Sequence, residues 1–151
     1  MIRIGTRFLG TFECPEESII SFPLGIPPFL DQQAFVVISS EESPIIFLQS
    51  ATTPELCFIT VLAQIADPTY QARIERFDLE TLQLDPALDC TDQLKCLTIL
   101  TIPEQGPATA NLAAPIVINP ARNIAVQAVR SDRAYSHVHP LEQNLDEGAP
   151  C

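Results

Sequence analysis

The sequence predicts a mainly β fold: a small antiparallel β-barrel-like single domain over residues 1–141 with one or two short helical turns. Three observations carry that expectation. Fourteen prolines against five glycines punctuate the chain, and no proline-free run before Ala121 exceeds 17 residues; such spacing suits short strands joined by turns better than helices. Runs rich in β-branched and aromatic residues recur between the breaks. One of them, Ile116-Val117-Ile118, is apolar at every position, and Pro115 and Pro120 bar a helix at both ends. It reads as a strand covered on both faces that crosses the middle of the sheet, with the other strands closing around it.

In chain order, Ile2 to Cys14 reads as a strand or bent pair, with Gly5 and Gly10 where the backbone bends. Glu13, Glu16 and Glu17 make an acidic turn around Pro15, and Ser18 to Phe22 alternates as a short strand. In Phe22-Pro-Leu-Gly-Ile-Pro-Pro-Phe-Leu-Asp31, Gly25 is expected in a conformation that a side chain would hinder. The two prolines are followed by one helical turn over Phe29 to Gln33. This corner is either a rigid plug at one barrel end or a preformed hydrophobic knuckle in which Ile26 and Phe29 do not both hide. Ala34 to Ile38 and Ile45 to Gln49 form the clearest hairpin, with Glu41 and Glu42 at its polar tip. Leu56 to Leu62 is an interior strand with Cys57 as a small core residue.

The composition shifts between Asp67 and Asp92, where seven acids meet only Arg73 and Arg76. Tyr70 to Phe77 alternates as an edge strand, and Asp78 caps one short helical turn through Leu82, with Leu79 and Leu82 pointing inward. Leu94 to Ile102 is the longest strand. Ile124 to Val129 is the last regular one, and a polar, acidic tail fills residues 142–151.

Charge narrows the function. Nineteen acids face eight basic residues, a formal net of −11 with a single lysine, Lys95. Such a surface repels phosphate backbones, which excludes direct nucleic-acid binding. It serves either solubility alone or attraction of a basic protein partner. No apolar run approaches the length of a membrane span. The N-terminus reads as free of a secretory signal, and five cysteines in no zinc or disulfide spacing read as reduced thiols in a cytoplasm.

Enzyme readings are weak. The sequence holds no G-x-S-x-G elbow, no phosphate-cradling glycine loop and no H-E-x-x-H. His137 and His139 share a strand face at i, i+2 but lack a third metal ligand. Cys90 and Cys96 lie in an acidic setting where nothing lowers a thiol pKa. No cofactor or small-molecule substrate is expected.

Several short pieces recur together in this order: Gly25-Ile-Pro27 with Phe29 after Ser21-Phe22, Phe35-Val-Val, Leu48-Gln-Ser50, Ala110-Asn-Leu112 with Ala114-Pro115, Ile118-Asn119, and His139-Pro-Leu141. They resemble the flagellar assembly factor family, FliW, from about Ile2 to Leu141. Pro28 stands where that family typically has glycine, and Leu30 where an acid is common. The resemblance implies a small β-barrel-like protein without enzymatic activity that binds flagellin in the cytoplasm. It further implies binding of the carbon storage regulator (CsrA), an RNA-binding repressor of flagellin translation, at a site apart from that regulator's RNA surface. The acid surplus suits a cationic partner of that kind. Expected partner contacts are Gly25, Ile26, Pro27 and Phe29 at the corner, the acids Glu41, Glu42, Glu75, Asp78 and Glu80, and the loops of Asn111 and Asn119. For the asparagines, pinning of turns through side-chain to backbone bonds ranks above recognition. A flagellin-only chaperone or structural module is the alternative.

Overall fold

The computed structural model describes residues 1–7, 9–87 and 91–141. Asp89, Cys90 and the 142–151 tail with Cys151 therefore lie outside the described residues. β1 (Ile2–Gly5) and β2 (Thr11–Cys14) form a separate antiparallel hairpin. Gly10, at φ 77°, makes the bend at its tip. The main sheet uses β3 (Ile20–Ser21), β4 (Ala34–Ser39), β5 (Ile46–Ser50), β6 (Cys57–Leu62), β7 (Lys95–Thr101), β9 (Ile116–Asn119) and β10 (Ile124–Gln127). Neighbouring strands pair in the order β7-β6-β5-β4-β3-β10-β9, and β9 pairs back onto β7, closing a barrel of 7 strands. β8 (Thr109–Ala110) and β11 (His139–Pro140) extend β7 as an open edge. Pro140 sits on that outermost strand, where a missing N–H costs no ladder bond. The closing ladders are antiparallel except β3 with β10, which run parallel.

β9 fulfils the expectation of a strand covered on both faces. Ile116 and Ile118 point into the barrel with Phe22, Phe35, Leu48 and Leu97. Val117 points outward, under Leu82, Ile124 and Val126. Each such fully buried aliphatic side chain is worth about 1.5–3 kcal/mol, so this short strand carries a large share of the core. The expected β4–β5 hairpin forms, with Phe35 opposite Ser50 through Ser39 opposite Ile46. β7 is the longest strand, and it bonds to β6 on one edge and to β9 and β8 on the other.

Three local expectations are corrected. Residues 29–33 make a single hydrogen-bonded turn, Gln32 N donating to Phe29 O at 3.1 Å, and no helix. Phe29 N donates to Ile26 O at 2.7 Å, the two residues form an isolated bridge, and the Pro27–Pro28 bond is cis. The side chains of Gln32 and Gln33 are drawn off to Ser50 and to Pro23 O, which leaves the segment as a folded corner. Residues 71–75 form no edge strand, because no ladder partner lies beside them; the alternation of Tyr70, Ala72 and Ile74 reflects an extended segment tethered by side chains. Helix α2 (Arg76–Thr81) starts earlier than Asp78, with Glu75 at the N-cap position. Asp78 therefore sits in the first turn and caps nothing. The helix ends through Gln83 at φ 63°, with Leu84 N donating to Leu79 O at 2.9 Å, and Leu82 is fully buried. Helix α1 (Ala63–Ala66) follows β6 and stops where Asp67 Oδ1 accepts from Thr69 N and Oγ1.

Two outcomes follow from these details. Gly25 takes φ 67°, and a Cβ there would lie 2.6 Å from the Leu30 backbone. Gly25→Ala is expected to lower unfolding free energy by about 2–3 kcal/mol in urea melts; an unchanged midpoint would show that the corner yields freely. Desolvation, and then the charge of Glu75, push the Asp78 carboxyl above its ordinary pKa. Folding thus favours its protonated form, so its contribution to stability grows as pH falls through the folded pKa and is lost as pH rises. Asp78→Asn should raise stability at neutral pH by roughly 0.5 kcal/mol, the figure discounted for solvent screening. A loss instead would mean that attraction of the carboxylate to the helix N-terminus outweighs its desolvation.

Candidate partner-binding surfaces

The corner between β3 and β4 is the first surface. Ile26 is fully buried in the barrel core, and Gly25 is buried beside it, so neither offers surface to a partner. This corrects the expectation for both residues: Ile26 hides, and Phe29 remains half out at 40% exposure. The Phe29 ring stands edge-on to Phe58 with centroids 6.1 Å apart, and Leu24, Leu30, Pro23, Pro27 and Pro28 surround it as further exposed apolar groups. The frame beneath is hydrogen-bonded throughout. Phe22 N donates to Gln33 O at 2.8 Å and Gly25 N to Phe22 O at 2.9 Å. Gln32 Oε1 accepts from Ser50 Oγ at 2.8 Å, Thr53 Oγ1 at 3.0 Å and Thr52 Oγ1 at 3.2 Å. Buried Gln49 donates to the carbonyls of Ser50, Thr53 and Pro54. The Leu48-Gln-Ser50 motif is thus the fastening of the corner.

The acids divide into two places. Glu41 and Glu42 stand exposed at the β4–β5 tip, where Ser40 Oγ accepts from Glu42 N at 3.2 Å. Glu75, Asp78 and Glu80 come together on α2 and its N-cap. Glu75 Oε1 accepts from Ser131 Oγ at 2.5 Å, Asp78 is half-buried, and Glu80 pairs with Arg76 at 3.1 Å on the exposed side. Phe77 projects from the same short helix at 63% exposure.

Neither asparagine is a free recognition group. Asn119 is buried and donates through Nδ2 to Leu82 O at 2.7 Å, fixing the end of α2 to β9. Asn111 Oδ1 lies 3.0 Å from His137 Nδ1. Only His139 of the two histidines is on a strand, so the expected shared strand face does not form. Among the described residues no group of three or more His, Cys, Asp or Glu could hold a metal ion. Burial raises the Cys96 thiol to about 11 and raises Cys57 as well, which makes both poor nucleophiles at neutral pH. Cys57 is half-buried rather than core, on a groove of about 260 Å³ whose walls include Leu9, Phe47, Pro54 and Ile59.

A polar node that the sequence reading missed joins the first part of the acidic segment to the residues after β10. Arg130, nearly buried, makes a two-pronged pair with Asp132, both bonds 2.8 Å. Its Nη1 donates to Gln71 O at 2.5 Å and to the Tyr70 hydroxyl at 3.3 Å. The guanidinium carbon lies 4.7 Å from the Tyr135 ring centre and 5.4 Å from that of Tyr70. The hydrogen bonds that Arg130 donates to Asp132 raise the Arg130 pKa further, and those same bonds hold the Asp132 carboxyl below its usual range. The Tyr70 hydroxyl donates to Leu112 O at 3.1 Å. The one signal in the sequence was Arg130-Ser-Asp132 following a strand end, with the two tyrosines far apart along the chain.

Comparison with known proteins agrees with this architecture. The sequence model of the family described as FliW protein matches residues 3–141. The flagellar assembly factor FliW of Bacillus subtilis (strain 168) is 38% identical over 140 residues, covering 91% of this chain and 95% of that protein. Its counterpart in Geobacillus kaustophilus (strain HTA426) is 35% identical over 141 residues, covering 93% and 95%. A crystal structure of the flagellar assembly factor FliW superposes with a TM-score of 0.82 at 35% identity, covering 93% of this chain and 96% of that one. No helix among the described residues is long and apolar enough to cross a membrane. The chain belongs to the FliW family of flagellar assembly factors.

Proposed function

We propose that this protein is a non-enzymatic cytoplasmic switch that exchanges two protein partners, flagellin and the carbon storage regulator (CsrA). When flagellin is exported, the freed factor captures the regulator and relieves repression of flagellin translation. Membership of the FliW family over nearly the whole chain is the observation that carries this reading. The net charge of −11 supports the regulator as a partner, because an RNA-binding protein presents cationic surface. In this reading Glu41, Glu42 and the acids of α2 steer and select, while the exposed corner around Phe29 and Pro27 supplies apolar contact. The second reading, in which the acid surplus serves solubility alone, is a chaperone or structural module that binds flagellin alone through the exposed apolar corner.

One titration separates the two: the purified protein against the regulator, with and without flagellin. Mutual exclusion is expected, and silence toward the regulator would leave the chaperone. Reversing Glu41 and Glu42 together to lysine should weaken regulator binding about three- to tenfold at low salt and flatten its salt dependence. The hairpin tip is exposed, so the fold should survive. Unchanged affinity in low-salt calorimetry would remove that tip from the interface.

A further inference from the structure

We propose that Arg130 is a positioning residue: it does not touch the basic partner but fixes the acidic helix α2 in the place from which it meets that partner. The inference rests on the reading that α2 acids face a cationic protein, and it adds what holds them there. Residues 71–75, which lead into α2, belong to no strand. Their attachments come from the segment after β10. Arg130 Nη1 donates to Gln71 O, Tyr135 Oη accepts from Gln71 N at 3.1 Å, Arg73 pairs with Asp132 at 3.7 Å, and Ser131 Oγ donates to Glu75. Arg130 organises three of the four directly, since it makes the first itself, stacks on Tyr135 and grips Asp132; its own N–H to Ala113 O at 2.8 Å ties it, and Ser131 next in the chain, to the barrel. The far end of α2 is held by Asn119 at Leu82 O. A six-residue helix has almost no stability of its own, so these two clamps decide where its acids and Phe77 point. The planar fork of an arginine is what the geometry requires, because one side chain must meet a carboxylate bidentately, a carbonyl, a hydroxyl and a ring face together.

The protein carries its own reporter. Its only two tyrosines, Tyr70 and Tyr135, are both in the node, and it has no tryptophan. Arg130→Lys is expected to collapse the tyrosine band in near-ultraviolet circular dichroism while the far-ultraviolet strand spectrum is kept. Calorimetry against the purified carbon storage regulator should show affinity falling about tenfold. Glu80→Gln should weaken binding by the otherwise wild-type protein yet add nothing in the Arg130→Lys background, whereas Glu41→Gln should add in full. Wild-type affinity in Arg130→Lys, or full additivity with Glu80→Gln, would overturn the proposal. If Glu80→Gln leaves the wild type unaffected, the reading of α2 as an interface has failed, and the proposal falls with it for that separate reason. Should Arg130→Lys fail to fold, Ser131→Ala cuts one tether from an exposed position. It is expected to cost about two- to threefold in affinity, and full affinity there would likewise overturn the proposal.

Discussion

β9 bonds to β10 on one edge and to β7 on the other, and that double pairing turns a curved sheet into a closed barrel. Closure removes the exposed edges that an open sheet would present. It also forces Ile116 and Ile118 inward and Val117 outward, so one strand serves two apolar clusters at once. A one-residue slip would exchange those faces and strand Asn119 away from Leu82 O. The register of this seam therefore sets where α2 lies as well as how the core is filled.

The β3–β4 corner and α2 are hung on this frame largely by side chains rather than by further ladders. At the β3–β4 corner, Gln32 and Gln49 gather the hydroxyls and carbonyls of the 50–54 turn and so keep the apolar groups of Leu24, Phe29 and Leu30 outside a rigid base. At α2, the Arg130 node and Asn119 do the same work for a helix too short to stand alone. Recognition steered by charge needs fixed geometry, since a charge displaced by a few ångströms in water loses much of its selectivity.

The barrel was legible in the sequence because its signals are local. Ile116-Val-Ile118 between prolines, the paired β-rich runs around Glu41-Glu42 and the long Leu94 to Ile102 run each identify a strand without reference to a partner. What escaped depends on contacts between distant positions. Tyr70, Ala72 and Ile74 alternate as a strand does, yet Tyr70 meets Arg130 and Tyr135 some sixty residues onward and Ile74 packs into the core under α2. Ile26 looked available for a partner because a short loop seldom buries two large groups; Gly25 in its left-handed conformation turns the chain enough to bury one of them. Asn119 illustrates the same limit: the sequence reading favoured turn-pinning, and the carbonyl it holds belongs to Leu82, which no local pattern indicates. The match to the FliW family was visible in short motifs that the structure explains as fastenings, Gln49, Asn119 and Gly25 among them.

Pairing on both edges and burial on both faces make the β7–β9 seam the most stable part of the molecule, the base on which both surfaces are mounted. Native-state amide hydrogen exchange of the β9 ladder tests it most directly. Amides of residues 116–119 should exchange only through global unfolding, with a free energy equal to that from urea melts. Exchange of those amides through a lower-energy local opening, while the β4–β5 hairpin stays protected, would contradict the account.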